Sequence, residues 1–361
     1  MKVVCMTTFT AIVLIFSPPA AWAECTTTPV IFNFGDSNSD TGGYAAAYGT
    51  SFSSPNGHTY FNQTSYRKCD GRLIIDFLCD SVKAEYMSSY LESLTPNFKT
   101  GVNFAVGSAT VLSESNFFSL KAQLDEFRRF HARSIILHSE GITSMFGEED
   151  FRNAVYLIDI GQNDITGAFS NHSKSKLEIL QSIPSFITGI KAAIETMYRV
   201  GGRKFWVHNT GPAGCLPLML AKHTVGHPRA EFDKAGCFKP LNDLAQEFNS
   251  QLYRLCEDLR AQLQNATVVY IDMYTIKYDL ISNSPLYGFE NPLMACCGGG
   301  GPPYNSNVTC GLPGFTVCGE DTKYISWDGV HYTDNSNSVF AARVATTNYS
   351  TPPVKLESFW C

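Results

Sequence analysis

The sequence predicts a three-layer α/β fold, a central parallel sheet covered by helices on both faces. Two patterns carry that expectation. Short runs rich in β-branched and aromatic residues recur along the 361 residues, each followed by a polar turn and a stretch with helical apolar spacing. The runs are apolar almost throughout rather than alternating, as strands buried between two helical layers are. A third observation sets the extent of the domain. Residues 24–361 contain no Pro/Ser-rich linker, no charge run and no repeat, so they read as one domain.

Taken in order, residues 1–23 stand apart. Lys2 precedes the apolar run FTAIVLIF (9–16), and Ala21-Trp22-Ala23 has the small-x-small form of a signal-peptidase site. The run is too short to span a bilayer, which needs about 20 apolar residues, so the segment reads as a cleaved secretion signal. No later stretch is long and apolar enough for a membrane anchor.

The first strand is PVIFNF (29–34), leading into Gly35-Asp36-Ser37. GVNFAV (101–106) leads into Gly107-Ser108, and AVYLIDI (154–160) into Gly161-Gln162-Asn163-Asp164. KFWVHN (204–209) and TVVYIDM (267–273) close the series. Between them, amphipathic spacing predicts helices over Leu120–Arg133, Lys176–Arg199 and Leu241–Leu263. Residues 274–325 are rich in Gly, Pro, Asn and Cys and read as a long loop region.

Composition narrows the function. The first 23 residues carry one lysine and no acid, so the remainder has 26 basic against 33 acidic residues, a net charge of −7. A mildly acidic chain without a basic cluster argues against nucleic acid and anionic membranes as partners. Eleven of the twelve cysteines lie beyond Ala23, a usage that suits an oxidising compartment. The odd number leaves at least one thiol outside an internal pair. Cys296, Cys297, Cys310 and Cys318 suggest a locally stapled loop, its connectivity open. Asn62, Asn171, Asn265, Asn307 and Asn348 begin N-x-S/T sequons available for glycosylation.

No cofactor or metal motif is present. Gly298–Gly301 lack the following Lys-Ser/Thr of a phosphate loop. His223 and His227 stand four apart, but Gly226 lies between them and the glutamate of a zinc helix is missing.

Ligands bind beyond the carboxyl ends of the strands in an open parallel sheet, and three polar turns fall there. Ser37 supplies a hydroxyl, at what reads as the start of a helix, where the positive helix end favours negative charge. The amides of Ser37 and Gly107 and the side chain of Asn163 would together form an oxyanion hole. Near the C-terminus, SWDGVHYT (326–333) places Asp328 three residues before His331. A turn at that spacing lets the carboxylate hold one imidazole nitrogen and leaves the other for Ser37. His208 also ends a strand, but the sequence offers it no neighbouring carboxylate. The G-x-S-x-G elbow is absent, since Ser39 stands where its second glycine belongs, which disfavours an ordinary α/β-hydrolase. Singly, Ser37, Asp36 and Asp40 read as helix-start residues and Asp164 as a turn former. Their occurrence at successive strand ends carries the functional reading.

FNFGDSNSDTG, VNFAVGSAT, IDIGQND and WDGVHYT together resemble the four blocks of plant GDSL esterases/lipases, within the SGNH-hydrolase superfamily. KFWVHNTGPAGCLP, FDKAGC, LNDLAQEFN and ACCGGGG look like that family too, so the resemblance covers nearly the whole chain after residue 23. It implies a flavodoxin-like fold, Ser37 as nucleophile, Asp328 and His331 as the rest of a triad, and Gly107 and Asn163 as oxyanion donors. Two positions depart from the family pattern. Asn38 stands where the name motif has Leu, and Gly107-Ser108 where Gly-Gly is usual.

The expected activity is hydrolysis of a small-molecule, glycan or lipid ester through an acyl-enzyme on Ser37. Two alternatives stand beside it. An acyltransferase would pass the same acyl group to an alcohol. A non-catalytic binding or defence protein would predict a degraded triad, whereas all five positions hold competent residues.

Overall fold

The computed structural model describes residues 28–52, 54–112, 117–171, 174–319 and 322–360; the expected signal segment lies outside them. The chain opens with β1 (Ile31–Gly35), α1 (Gly43–Tyr48) and α2 (Ile74–Ser81). It continues through β2 (Gly101–Asn103), α3 (Leu120–Ser139), α4 (Glu148–Asn153) and β3 (Val155–Asp159). Next come α5 (Gln162–Ser170), α6 (Lys176–Arg199), β4 (Lys204–His208), α7 (Pro217–Thr224) and α8 (Lys239–Gln262). The last third holds β5 (Thr267–Ile271), α9 (Met273–Ser282), β6 (Cys297–Gly298), β7 (Thr316–Val317), α10 (Asp334–Ala345) and β8 (Ser350–Thr351).

The main sheet runs β2-β1-β3-β4-β5-β8. All pairings are parallel except β8, which lies antiparallel on β5. Every residue of β1 and β3 is buried, which explains their uninterrupted apolar character. The fold is thus α/β with a mostly parallel sheet, and the edge strand β8 is one strand of it that the sequence did not announce. It is only two residues long, too short to carry a pattern.

Right-handed crossovers put α3, α6 and α8 side by side on one face and α2, α9 and α10 on the other. Each long helix buries one stripe: in α8, Leu241, Leu244, Phe248, Leu252, Leu255 and Leu259. Aromatic rings fill the space beneath α3, where Phe32 stacks on Phe151 at 5.1 Å and meets the edge of Phe146 at 5.6 Å.

Strand order reverses at β1, whose partners are β2 on one side and β3 on the other. The turns after β1 and β3 therefore flank one crevice at a topological switch point.

The loop expected over 274–325 begins later. Residues 273–282 form α9, because Asp272 Oδ1 caps Thr275 N at 3.0 Å and Ile276, Leu280 and Ile281 share a buried stripe. Beyond it, Cys296–Cys318 and Cys297–Cys310 staple the Gly-rich segment, and Cys215–Cys237 ties the approach to α7 to that of α8. Cys69, Cys79 and Cys256 are buried free thiols. Asn62, Asn171, Asn265, Asn307 and Asn348 are all exposed.

Candidate active site

The site begins where β1 ends. Gly35 is required by close approach, since a Cβ there would lie 2.4 Å from the Asp159 carbonyl oxygen and 2.7 Å from Ser39 Oγ. Asp36 N donates to that same carbonyl at 3.2 Å, and Asp36 Oδ1 accepts from Asn38 N at 2.9 Å and Asn38 Nδ2 at 3.0 Å. The Asp36 side chain thus bends the backbone around Ser37 and leaves the serine at the tip of a turn. No helix starts there. α1 begins at Gly43, so the expected positive helix end does not face Ser37. The Asp36 carboxylate bonds the Asn38 amide two residues on, a turn that competes with helix. The Ser37 amide has no hydrogen-bond partner among the described residues.

Asp40 does cap α1. Its carboxylate accepts from the amides of Gly42 (2.8 Å), Gly43, Tyr44 (2.9 Å) and Gly107 (2.7 Å). Burial still pushes its carboxyl above the usual range. The last bond alters the expected role of Gly107: its N–H is held by Asp40 and faces inward. The following Ser108 adopts the left-handed conformation, φ 67°, that the usual glycine would take without strain.

Asn163 lies in the first turn of α5. Its Nδ2 donates to Ala109 O at 2.9 Å and, at 3.3 Å, to Asp36 Oδ2. Asp164 reaches past its own turn: both of its oxygens accept from Val111 N at 3.0 Å. Burial raises that carboxyl to about 7. The 107–111 loop is therefore moored at one end by Asp40 and at the other by Asp164.

From the C-terminal segment, Asp328 Oδ1 accepts from Val330 N at 3.0 Å and His331 N at 2.8 Å. Those two bonds close the turn that the spacing predicted. Asp328 Oδ2 then meets His331 Nδ1 at 2.6 Å, and His331 Nε2 lies 2.8 Å from Ser37 Oγ. Burial opposes the Asp328 charge, but the charge and hydrogen bonds of His331 outweigh it and hold the carboxyl at about 2. Trp327 Nε1 donates to Asn56 Oδ1 at 2.9 Å, tying this segment to the loop after α1.

A second polar group sits at the neighbouring strand ends. In the β3–β4 register Asp159 pairs with His208, and His208 Nδ1 stands 3.7 Å from Asp159 Oδ2. His208 therefore has a carboxylate neighbour after all, contrary to expectation, because residues 49 positions apart share one sheet edge. Lys277, on the buried side of α9, completes the group. Its signal was a lysine in register with Ile276, Leu280 and Ile281 on an otherwise apolar helix face.

The arrangement can do one thing well. The imidazole can take the Ser37 proton while Asp328 stabilises the resulting cation, beside an amide and a carboxamide able to bind negative charge. Among the described residues, no group of three His, Cys, Asp or Glu side chains could hold a metal.

A family model described as GDSL-like Lipase/Acylhydrolase matches residues 31–344. Two GDSL esterases/lipases of Arabidopsis thaliana are each 49% identical to this chain, over 334 and 342 residues. The first match covers 92% of this chain and 91% of the relative, the second 93% and 91%. An esterase of Hevea brasiliensis is 41% identical over 352 residues, covering 91% of this chain and 88% of its own. Among solved structures, a lipase from a goat rumen metagenome aligns with a TM-score of 0.41 and 11% identity, over 89% of this chain and 98% of that one.

Proposed function

The chain belongs to the GDSL-like lipase/acylhydrolase family and is a carboxylic ester hydrolase; from that premise we propose that Ser37, His331 and Asp328 carry the reaction through an acyl-enzyme. The observation that supports this is the continuous chain of contacts from Asp328 Oδ2 through His331 to Ser37 Oγ, at 2.6 and 2.8 Å.

Ser37 Oγ attacks the ester carbonyl as His331 Nε2 removes its proton. The carbonyl oxygen becomes an oxyanion, stabilised by the Ser37 amide and by the Asn163 carboxamide, which turns from Asp36 toward the new charge. Gly107 acts through Asp40, holding its loop in place, in preference to donating directly. His331 returns the proton to the leaving alcohol, and the acyl group stays on Ser37. Water, activated by the same imidazole, attacks the acyl-enzyme and releases the acid.

Three disulfides among the described residues support residence in an oxidising compartment, reached through the secretory pathway. The test is hydrolysis of a series of esters of increasing acyl length, run beside Ser37→Ala and with alcohols added to expose any acyl transfer. Turnover retained in Ser37→Ala would place the nucleophile elsewhere.

A further inference from the structure

Near the β8 edge of the sheet lies a cleft that the reaction scheme leaves without an occupant. Its volume is about 830 Å³, and it is formed by α8, the carboxyl ends of β4 and β5, the first turn of α9 and the segment leading into β8. Tyr253 of α8, Tyr274 of α9 and Tyr349 line it, together with the more deeply buried Tyr270 of β5. The rings are held in place. Tyr253 meets Tyr270 edge-on, with centroids 5.2 Å apart. The Tyr270 hydroxyl accepts from Asn209 Nδ2 at 2.6 Å, and the Tyr274 hydroxyl from Gln246 Nε2 at 2.8 Å. Each of these hydroxyls keeps its own proton to donate. The Tyr349 carbonyl accepts from Asp272 N at 2.8 Å.

The chemistry of the walls selects the occupant. A fatty chain needs an uninterrupted apolar wall, and Asn209, Glu257 and Asp272 interrupt this one. A phosphate needs several cations, whereas Arg254 is the one cation among the lining residues and stands 3.9 Å from Glu247. A sugar ring has C–H faces that lie on aromatic rings and a rim of hydroxyls that bond to amides and carboxylates. Tyrosine, with an apolar ring and a polar tip, serves both. The volume suits a small ligand. A source of sugar is built into the rim. Asn348 lines the same cleft and begins the sequon Asn348-Tyr349-Ser350. It is exposed, and its backbone is fixed by Thr347 at φ 64° before it and by the Tyr349 carbonyl bond after it.

We propose that Asn348 carries an N-linked glycan whose first sugars lie in this cleft against Tyr253 and Tyr274. In its formation the Asn348 side-chain nitrogen loses a proton and bonds to C1 of an oligosaccharide carried on a lipid pyrophosphate. The C1–O bond breaks, and the lipid pyrophosphate leaves with its electrons. Ser350 is buried, its Oγ donating to the Thr347 carbonyl at 2.9 Å, so the transfer precedes the docking of β8. Once docked, the sugars shield β8, the edge strand of the sheet, where an uncovered edge invites pairing with another chain. This inference rests on passage through the secretory pathway, which sugar at the other four sequons tests separately.

The experiment uses the full chain secreted from a eukaryotic host, with its glycopeptides mapped by mass spectrometry. Asn348 should be occupied. A peptide N-glycosidase acting on the folded protein should release the Asn348 glycan about tenfold or more slowly than the others, because cleavage waits for the sugar to lift from the cleft. Denaturation should abolish the difference. Tyr253→Ser combined with Tyr274→Ser should bring native release at Asn348 up to the rate at the other sites, with those rates unchanged. Asn348→Gln should lower the melting temperature and leave ester turnover as it is. Asn348 bare while other sequons are occupied, native release as fast as theirs, or slow release that persists in the double tyrosine variant would each overturn the inference. A chain bare at all five sequons would overturn the secretory reading with it. Saturable binding of free chitobiose to a chain bare at Asn348 would assign the cleft to a soluble sugar, and so overturn the proposal as well.

Discussion

Ser37 Oγ and His331 Nε2 lie 2.8 Å apart although 294 positions separate them in the chain. Ser37 is held by a turn that Asp36 shapes, and His331 by a turn that Asp328 closes. Each local device works independently, and the sheet brings the two together. Replacing Ser37 by Ala should lower kcat by at least about four orders of magnitude while changing stability by no more than about 1 kcal/mol. Titration with a fluorophosphonate should label the wild type stoichiometrically and leave the variant unlabelled; labelling of the variant would refute the assignment.

Asn163 tests the oxyanion site apart from the nucleophile. Asn163→Ala should lower kcat by about a hundred- to a thousandfold with little change in KM, the usual cost of one such donor. It should also cost about 1 kcal/mol of stability, because the Ala109 carbonyl loses its donor. Asn163→Asp should be worse than alanine, since a second carboxylate would then stand against Asp36. Steady-state kinetics of the two variants, compared with their melting temperatures, separates the roles. Near-normal kcat with a lowered melting temperature would make Asn163 a turn former only.

Asp40 binds four backbone amides with one carboxylate. Asp40→Ala should leave buried donors unsatisfied and cost about 3 kcal/mol or more. Because Gly107 is among the four, the 107–111 loop should loosen as well. Hydrogen exchange is expected to show lost protection at residues 42–44 and 107 together. Loss at 42–44 alone would mean that Asp40 serves only the helix.

The Asp328 carboxyl, at about 2, lies below its ordinary 3.8. A carboxyl depressed by folding adds stability above its unfolded value, and that stability is lost as the pH falls through the folded one. Asp328 should therefore contribute about 2 kcal/mol at about pH 6, declining from about pH 4 toward about pH 2. Denaturant unfolding of the wild type and Asp328→Asn measures it: the gap between the two should shrink across that window. A gap independent of pH would show that the His331 pairing contributes nothing.

Much of this is legible in the sequence. Strands β1–β5 each lie on one of the apolar runs along the chain, β1 reaching one residue further to Gly35, and Lys176–Arg199 forms a helix over the same residues that its spacing marks. Asp328 and His331 lie three apart, so one turn suffices to join them, and a turn is local. Two elements depart from the sequence expectation. The helix placed at Ser37 failed because Asp36 and Asn38 bond to each other and to the turn. The loop placed over 274–325 hid α9 because Gly, Pro and Cys further along dominated its composition.

The sequence alone determined the main parallel strands, the long helices and the chemistry available at each strand end, because helical and strand periodicity and turn preferences act over a few residues. Only the tertiary structure decided which groups face each other. Asp159 meets His208 because two strands pair in one parallel register. Gly107 donates to Asp40 because the turn after β2 comes down on the start of α1. Lys277 meets the Tyr332 ring because α9 buries the side that carries it. Such contacts join residues dozens to hundreds of positions apart, and no local pattern records them. They arise when the apolar faces close and the polar groups caught between them must find one another.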